Sequence, residues 1–430
     1  MGGGLMQLVA YGAQDIYLTG QPQITFFKSV YRRHTNFAVE SIQQTINGSV
    51  AAGSRVSVTI SRNGDLLKNL WIQYNPSALV TSGATGLASD LSHALLQVLE
   101  IEIGGQLIDR HYGMWLTVWR DLTEMNPTGA QGELGINGVE PAVNGGSGVV
   151  DTNPSTRYQR MTYTHQSGAT VDTTAAPSEC YIPMRFWFCR NPGLAIPLIA
   201  LQYHEVKFNI QFAQTVSWAV GSPASGLATG CNFAVYADYV YLDTTERRQF
   251  AQNAHEYLID QLQTQQEASS GGSTTNTIRL NFNHPVKELI WVGAPVALVP
   301  GSSNIDNVSG GATPGPIVVG GDASTTALQC KIILNGTDRF TARNLKYFTR
   351  NQVWDCHTGF GATGVPDSIA LYSFALRPEE HQPSGTCNFS RIDTAQLAFY
   401  GASVNALYIY AVNYNVLRIM SGMGGLAYSN

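Results

Sequence analysis

The chain has 430 residues, of which 44% are hydrophobic and only 13% are charged, and its formal net charge is −5. This length is too great for one ordinary hydrophobic core and predicts two domains of about 200 residues each. The negative charge argues against direct binding to nucleic acid, which needs clustered cations to neutralise phosphates. The 43 glycines and 18 prolines favour turns and loops, and therefore an all-β fold.

The cysteine spacing limits which metals and cofactors the chain could bind, and the apolar segments indicate the cellular compartment. The six cysteines lie far apart, without a C-x-x-C pair or a His at ligand spacing, so we expect free thiols, no metal and no cofactor. The N-terminus lacks the basic and apolar regions of a signal peptide, which predicts cytosolic synthesis. The longest apolar stretch, Gly193 to Leu201, falls below the ~18 residues of a membrane span, so we expect no membrane insertion.

The first predicted element is a short helix from Pro22 to Thr35. It carries the one local basic cluster of the chain, Lys28 with Arg32 and Arg33. This cluster could touch an anionic surface, but a solvated helix end is the favoured interpretation.

Strand-type alternation runs through the rest of the chain. It is clearest from Glu205 to Phe212, where apolar and polar residues alternate strictly, as on a strand with one buried and one wet face. The same period occurs in three further segments: Val56–Ile60, Leu99–Ile103 and Ile278–Phe282. A second helix is predicted from Tyr112 to Asn126, because its large apolar residues lie on one face.

Segments rich in Gly, Ser, Thr and Asn interrupt the strands. They are Gly129–Asn153, Ser167–Ser178, Gly221–Gly230, Ser269–Thr275 and Pro300–Thr326. Loops of this length usually carry contacts or function. The pattern therefore predicts a β framework with large loops.

A weak internal repeat has a period of roughly 220 residues. Four pairs of segments correspond in the same order: Ile60–Ile72 with Leu280–Val292, Glu100–Arg110 with Lys331–Arg339, Cys180–Phe212 with Ile369–Tyr400, and Phe233–Leu242 with Ala406–Tyr414. One coincidence would mean little, but four in one order predict a single supersecondary plan that is used twice.

The number of strands in each copy indicates the kind of sandwich. About eight short strands that cross between two sheets predict an eight-stranded jelly roll, so the chain should hold two in tandem, with short helices. An immunoglobulin-like sandwich remains the alternative for either half, because strand number does not settle topology. We expect an N-terminal segment at 1–26, a first jelly roll at 27–220 and a second at 221–430. A seam just after the Tyr-rich strand Phe233–Leu242 is the alternative boundary.

Four N-x-S/T sequons are candidates for glycosylation. Asn335 lies in an Asn-Gly turn and Asn388 in a strand-like segment, so both are expected to have turn or core roles. Asn307 is the better candidate, because it lies in the long loop between Pro300 and Thr326. The fourth sequon is at Asn47.

The sequence has no set of side chains whose spacing indicates a catalytic site. His204 and Glu205 are adjacent on a strand, so their side chains should point to opposite faces and cannot form a relay. His111 with Tyr112 and Trp115 could line a sugar-binding patch, but aromatic residues at helical spacing are more often core. The glycine-containing segments lack the strand-to-helix context that nucleotide binding requires. We expect no catalytic residues.

Segments along nearly the whole chain resemble the major capsid proteins of chloroviruses (Phycodnaviridae), within the double jelly-roll capsid family of the nucleocytoplasmic large DNA viruses. The similar segments are Leu8–Ser49, ISRNGDL from Ile60, EIGGQLIDRHY from Glu102, PLIALQYHEVK from Pro197, RLNFNHP from Arg279, QPSGTCNFSRID from Gln382 and NYNVLRIMSGMGGLAY from Asn413.

The resemblance implies a structural protein of the virion and not an enzyme. It implies homotrimers with a pseudo-hexagonal outline that tile an icosahedral shell, with the N-terminal segment facing inward. The partners would be other copies of the chain, neighbouring capsomers and minor capsid proteins beneath the shell, after synthesis and assembly in the host cytoplasm. Chlorovirus-like glycosylation does not follow the usual sequon, so Asn276 and Asn304 join Asn307 as candidate sites for covalent glycans.

Two other interpretations stay open. The chain could be a carbohydrate-binding jelly-roll attachment protein, which exposed loops and aromatic residues would suit. It could also be a minor capsid paralogue that is used at special positions.

Overall fold

A computed structural model describes residues 3–75, 90–124, 157–162, 179–214, 232–296, 312–319, 328–359, 361, 365 and 367–428. The chain divides into two compact units, Met1–Phe37 and Ala38–Asn430. The smaller unit contains helices α1 (Gly3–Val9) and α2 (Ile16–Thr19), neither of which has a buried residue.

The predicted helix from Pro22 to Thr35 is wrong, because this segment has turns and irregular backbone. A short helix in water depends on the packing of its apolar face. The apolar side chains here are not packed: Phe26 is 88% and Phe27 is 98% exposed. The basic cluster of Lys28 and its neighbours is therefore solvent-exposed on irregular chain and does not mark a helix end.

The larger unit begins with two facing sheets. Their strands are β1 (Phe37–Gln44), β2 (Ile46–Asn47), β3 (Arg55–Thr59), β4 (Leu66–Tyr74), β5 (Leu96–Ile103), β6 (Gln106–Tyr112), β7 (Cys180–Pro183), β8 (Ile196–Pro197), β9 (Val206–Phe212) and β10 (Phe233–Leu242). One sheet has the order β1-β10-β4-β7, with β8 beside β4, and the other has the order β2-β3-β9-β5-β6. The alternation predicted from Glu205 to Phe212 is confirmed, since Val206, Phe208, Ile210 and Phe212 are buried in the core between the sheets.

The second half repeats this plan. Its strands are β11 (His255–Glu267), β12 (Thr275–Leu280), β13 (Pro285–Val296), β14 (Thr313–Gly315), β15 (Gln329–Leu334), β16 (Thr337–Asp338), β17 (Arg343–Asn344), β18 (Ile369–Ser373), β19 (Cys387–Asn388), β20 (Ala395–Tyr400), β21 (Leu407–Met420) and β22 (Met423–Leu426). In one sheet β21 lies between β11 and β13, which also pairs with β14, β18 and β19, while the other sheet has the order β12-β20-β15-β16. In each half the first long strand pairs with the last long strand, β1 with β10 and β11 with β21, which is jelly-roll connectivity and not that of an immunoglobulin domain.

Strand pairing also bears on the seam between the sandwiches. Strand β10 pairs along its length with β4, so a boundary between residues 220 and 221 would separate it from its own sheet. Helix α7 (Thr244–Gln252) follows β10 and leads directly into β11. We therefore propose that the seam lies after Leu242, which is the alternative boundary named above.

The remaining helices are short. They are α3 (Leu91–Ala94), α4 (Gly113–Thr123), α5 (Arg157–Thr162), α6 (Trp187–Arg190) and α8 (Gln352–Cys356), with 3₁₀ turns at Pro192–Leu194 and Phe389–Arg391 and a π-helical turn at Tyr347–Asn351. Helix α4 confirms the helix predicted from Tyr112. It begins at a glycine because a Cβ on Gly113 would lie 2.1 Å from the carbonyl oxygen of His93 and 2.2 Å from that of Leu96. Among the described residues, none of the helices is long and apolar enough to span a bilayer.

Three of the predicted loops, Gly129–Asn153, Ser167–Ser178 and Gly221–Gly230, lie outside the described residues. Within Pro300–Thr326 the described part, 312–319, includes strand β14. The connection at Ser269–Thr275 turns at Gly271 and Gly272, which both have positive φ angles.

Candidate assembly surfaces

The two sandwiches meet inside the chain, where helix α4 of the first half lies on the second. The buried side chains of this junction come from α4 and from the face of the second sandwich that points away from its own core: Met114, Trp115, Val118, Trp119, Leu122, Ile290, Val292, Val353, Ile369, Leu371, Tyr410 and Val412. The rings of Trp115 and Tyr410 have centroids 5.1 Å apart. Burial of each large side chain contributes roughly 2–3 kcal/mol, so α4 binds this sheet face firmly.

A buried arginine of helix α4 takes part in a hydrogen-bond network that joins the two halves. The guanidinium of Arg120 donates to Asp90 and, at 2.9 Å and 2.7 Å, to Asp121. Asp90 in turn accepts a hydrogen bond of 2.8 Å from Thr313 on β14 of the second sandwich. Burial alone would lower the pKa of Arg120, but the two carboxylates outweigh it and raise that pKa above its ordinary value.

A buried histidine forms a second charged cluster at the junction. Nε2 of His357 lies 2.9 Å from Oε2 of Glu288, and its Nδ1 lies 2.9 Å from Oε1 of Glu379. Burial by itself would lower the pKa of His357, but the charges and hydrogen bonds of the two glutamates raise it to about 9. At neutral pH the imidazole is therefore a cation between two carboxylates.

Further polar contacts cross the same junction. Nη1 of Arg190 in the first half lies 3.5 Å from Asp260 on β11, which also lies 3.0 Å from Nζ of the buried Lys287 in its own sandwich. The backbone N–H of Leu262 on β11 donates to Asp109 on β6 at 3.1 Å. Buried hydrogen-bonded charges tolerate little misalignment, so this network fixes the orientation of one sandwich on the other.

The corresponding sheet face of the first sandwich is exposed. An open groove of about 600 Å³ lies on the outer side of the β1-β10-β4-β7 sheet, lined by Ser41, Trp71, Gln73, Glu179, Tyr181, Tyr236 and Asp238. Asp238 accepts hydrogen bonds from Trp71 Nε1 at 2.8 Å and from Asn69 Nδ2 at 3.2 Å. The groove therefore combines aromatic surface with the carboxyl groups of Glu179 and Asp238, a composition suited to binding a partly apolar partner.

The structure places the candidate glycosylation sites as follows. Asn276 is half-buried in β12, opposite Phe399 of β20, whereas Asn304 and Asn307 lie outside the described residues. Asn335 has a φ of +48° and its side chain accepts a hydrogen bond from the backbone of Thr394 at 3.0 Å. The side chain of Asn388 accepts one from Ser390 at 3.0 Å, and Asn47 is exposed in β2. The turn roles expected for Asn335 and Asn388 are thus present.

We expect protein isolated from its natural source to be heavier than the 46.5 kDa of the bare chain, with the added mass on the peptide that contains Asn304 and Asn307. Asn276 should be unmodified, because its side chain is half-buried in a paired strand. Intact-mass spectrometry with peptide mapping tests both statements. A measured mass equal to that of the bare chain would exclude covalent glycans.

The residues considered for catalysis have structural contacts. Nδ1 of His204 lies 2.9 Å from the carbonyl oxygen of Gly424, while Glu205 is exposed and faces Lys207. His111 is buried against the Phe186 ring at 4.5 Å, and Trp115 is fully buried, so the core interpretation of this pair is correct. Within the described part of the chain, no cluster of three His, Cys, Asp or Glu residues could hold a metal ion.

Comparison with known proteins agrees with this architecture. Residues 25–243 match the family model "Major capsid protein N-terminus", and residues 246–425 match "Large eukaryotic DNA virus major capsid protein". The major capsid protein of Pyramimonas orientalis virus is 46% identical, and that of Paramecium bursaria Chlorella virus 1 is 43% identical, with 100% of this chain and of each relative covered.

A solved structure, the quasi-atomic model of the PBCV-1 virus capsid, superposes with a TM-score of 0.73 at 38% identity, covering 94% of this chain and 100% of that chain. The duplicated sandwich, the strand order and the matches over both halves lead to one conclusion. The chain belongs to the major capsid proteins of large eukaryotic DNA viruses and is a structural protein with the double jelly-roll fold.

Proposed function

We propose that the chain assembles as a homotrimer with a pseudo-hexagonal outline and that these capsomers tile an icosahedral virion shell. The observation that supports this proposal is the strand order, which is the same in the two sandwiches of one chain. Three such chains around an axis would present six similar corners, and a near-hexagonal unit is suited to close tiling.

The partners follow from this arrangement. Other copies of the chain would occupy the sides of each capsomer, and minor capsid proteins would lie beneath the shell. The Met1–Phe37 unit, whose apolar side chains are exposed, would face inward toward them. The chain would be made and assembled in the host cytoplasm, and it would have no enzymatic activity.

We expect purified protein at micromolar concentration to have a mass near three times 46.5 kDa by light scattering, and negative-stain images to show a six-cornered particle. Dilution of the same sample gives the concentration range in which the particle dissociates. A single species of 46.5 kDa at all concentrations tested would contradict the trimer.

The aromatic groove with its carboxylate also favours a second candidate, carbohydrate binding, since aromatic faces and carboxylates are common in saccharide sites. Specific binding on a glycan array by a protein that forms no capsomer would favour this alternative. A minor capsid paralogue would be recognised by its low copy number in purified virions.

A further inference from the structure

The groove on the first sandwich occupies the same positions as the face that binds α4 on the second. In the first sandwich Trp71 of β4 lies opposite Tyr236 of β10, and in the second Ile290 of β13 lies opposite Tyr410 of β21. The remaining pairs agree: Gln73 with Tyr181 corresponds to Val292 with Ile369, and Asn69 with Asp238 corresponds to Glu288 with Val412. One face is covered within the chain, and its counterpart is an open groove.

The element that covers the second sandwich also has a counterpart. Helix α4 follows β6 in the first half, and the π-helical turn with α8 follows β17 in the second. Each carries a Val-Trp pair, Val118-Trp119 in α4 and Val353-Trp354 in α8. Trp119 is 4% exposed in the junction, whereas Trp354 is 81% exposed.

Trp354, the counterpart of the buried Trp119, is therefore exposed. The groove on the first sandwich, the counterpart of the face that binds α4, is also open. Burial of a tryptophan in such a groove recovers a large apolar contact, and tryptophan is among the residues that dominate protein interfaces. The fold already uses this contact once, because Trp115 and Trp119 of α4 pack on the matching sheet face.

We propose that Trp354 of one copy packs in the groove formed by Trp71, Tyr181 and Tyr236 of a second copy. This inference rests on the proposed homotrimer and specifies the contact between its neighbouring chains. Each chain has one groove and one Trp354, so the contact is heterologous and closes into a ring only at a fixed number of copies. If the contact between chains repeats the contact between sandwiches, the proposed homotrimer is a ring of six sandwiches that meet through similar contacts.

The test compares Trp354→Ala with Leu376→Ala, a control that removes another exposed apolar side chain, 82% exposed. Trp354→Ala should fold like the wild type by circular dichroism, yet dissociate at a protein concentration at least tenfold higher. Leu376→Ala should dissociate like the wild type. Tyr236→Lys, on the other side of the contact, should give monomers.

Mixing two defective variants distinguishes a heterologous contact from other interfaces. A Trp354→Ala chain keeps its groove, and a Tyr236→Lys chain keeps its tryptophan. At a concentration where Trp354→Ala alone is monomeric, their mixture should therefore form dimers through the one intact contact but no closed trimers. Light scattering of each variant alone and of the mixture measures this directly.

Different results would contradict the proposed contact and the proposed trimer. If the wild type is trimeric and Trp354→Ala dissociates like Leu376→Ala, this contact is wrong and the trimer remains. If the wild type is monomeric, the proposed assembly itself is wrong. If Tyr236→Lys leaves the trimer intact but abolishes binding on a glycan array, the groove is a saccharide site and the inference is overturned.

Discussion

Replacement of Arg120 by Ala is expected to lower the free energy of unfolding by about 3–5 kcal/mol. The change leaves Asp90 and Asp121 buried without their cation, and an uncompensated buried charge is costly. Because Asp90 also accepts a hydrogen bond from Thr313 across the junction, both sandwiches should lose stability together. Urea unfolding followed by tryptophan fluorescence measures the loss.

Arg377→Ala is the matched control for this experiment. Arg377 pairs with Glu380 at 3.0 Å, but both side chains are exposed, and exposed pairs contribute about 0–1 kcal/mol. A loss below about 1 kcal/mol for Arg120→Ala would show that the junction does not depend on this ion cluster. Unfolding of one sandwich while the other keeps its wild-type midpoint would contradict the coupling through Asp90.

Stability is expected to fall as the pH rises from about 6.5 through about 9. The folded chain holds the pKa of His357 at about 9, above the ordinary 6.5 of the unfolded chain. The stabilisation is therefore complete below pH 6.5, where both states are protonated, and it is lost as the folded imidazole releases its proton. The difference of pKa corresponds to a loss on the order of 3 kcal/mol.

His357→Gln should remove this alkaline dependence and lower stability at neutral pH. His255→Gln is the control, because the His255 ring binds the backbone carbonyl of Phe250 and no glutamate. Unfolding free energies at a series of pH values between 6 and about 10 compare the two variants with the wild type. A wild-type profile that is flat over this range would show that His357 is not held as a cation.

At acid pH the stability contributed by the same cluster should change in the opposite direction, because it falls as the pH is lowered. Burial would raise the pKa of Glu379, but its hydrogen bonds to His357 and Thr358 hold that pKa below the ordinary value of 4.5. The contribution of Glu379 is present above pH 4.5 and is lost as the pH falls through its lower, folded value. The cluster therefore favours neutral and mildly acidic conditions.

Much of the fold could be predicted because its determinants are local. Alternation from Glu205 to Phe212 predicted β9, and the apolar face from Tyr112 predicted α4. The four corresponding segment pairs predicted a duplication, which the strand order of the two halves confirms. A period of two or of 3.6 residues can be read from neighbouring residues alone.

The sequence was least informative where contacts between distant residues decide the structure. Phe26 and Phe27 lie in the segment that was predicted to be helical, but they are not packed in the structure and no helix forms there. The seam between the sandwiches also depends on such contacts: a glycine-rich loop favoured residue 220, whereas the pairing of β10 with β4 is the reason that we propose a seam after Leu242. Strand partners far apart in the chain leave no mark in local composition.

The sequence by itself determined the all-β class, the duplication and the membership in a capsid protein family, since strand period, repeat and motif are properties of the chain order. Only the tertiary structure decided which charged residues meet at the junction and which surfaces stay open. Arg120, His357 and Lys287 look like ordinary polar residues in the sequence, but all three are buried in the structure. The repeated Val-Trp pair was visible in the sequence, but burial alone distinguishes Trp119 from the exposed Trp354, because exposure depends on what packs against a side chain and not on its neighbours in the chain.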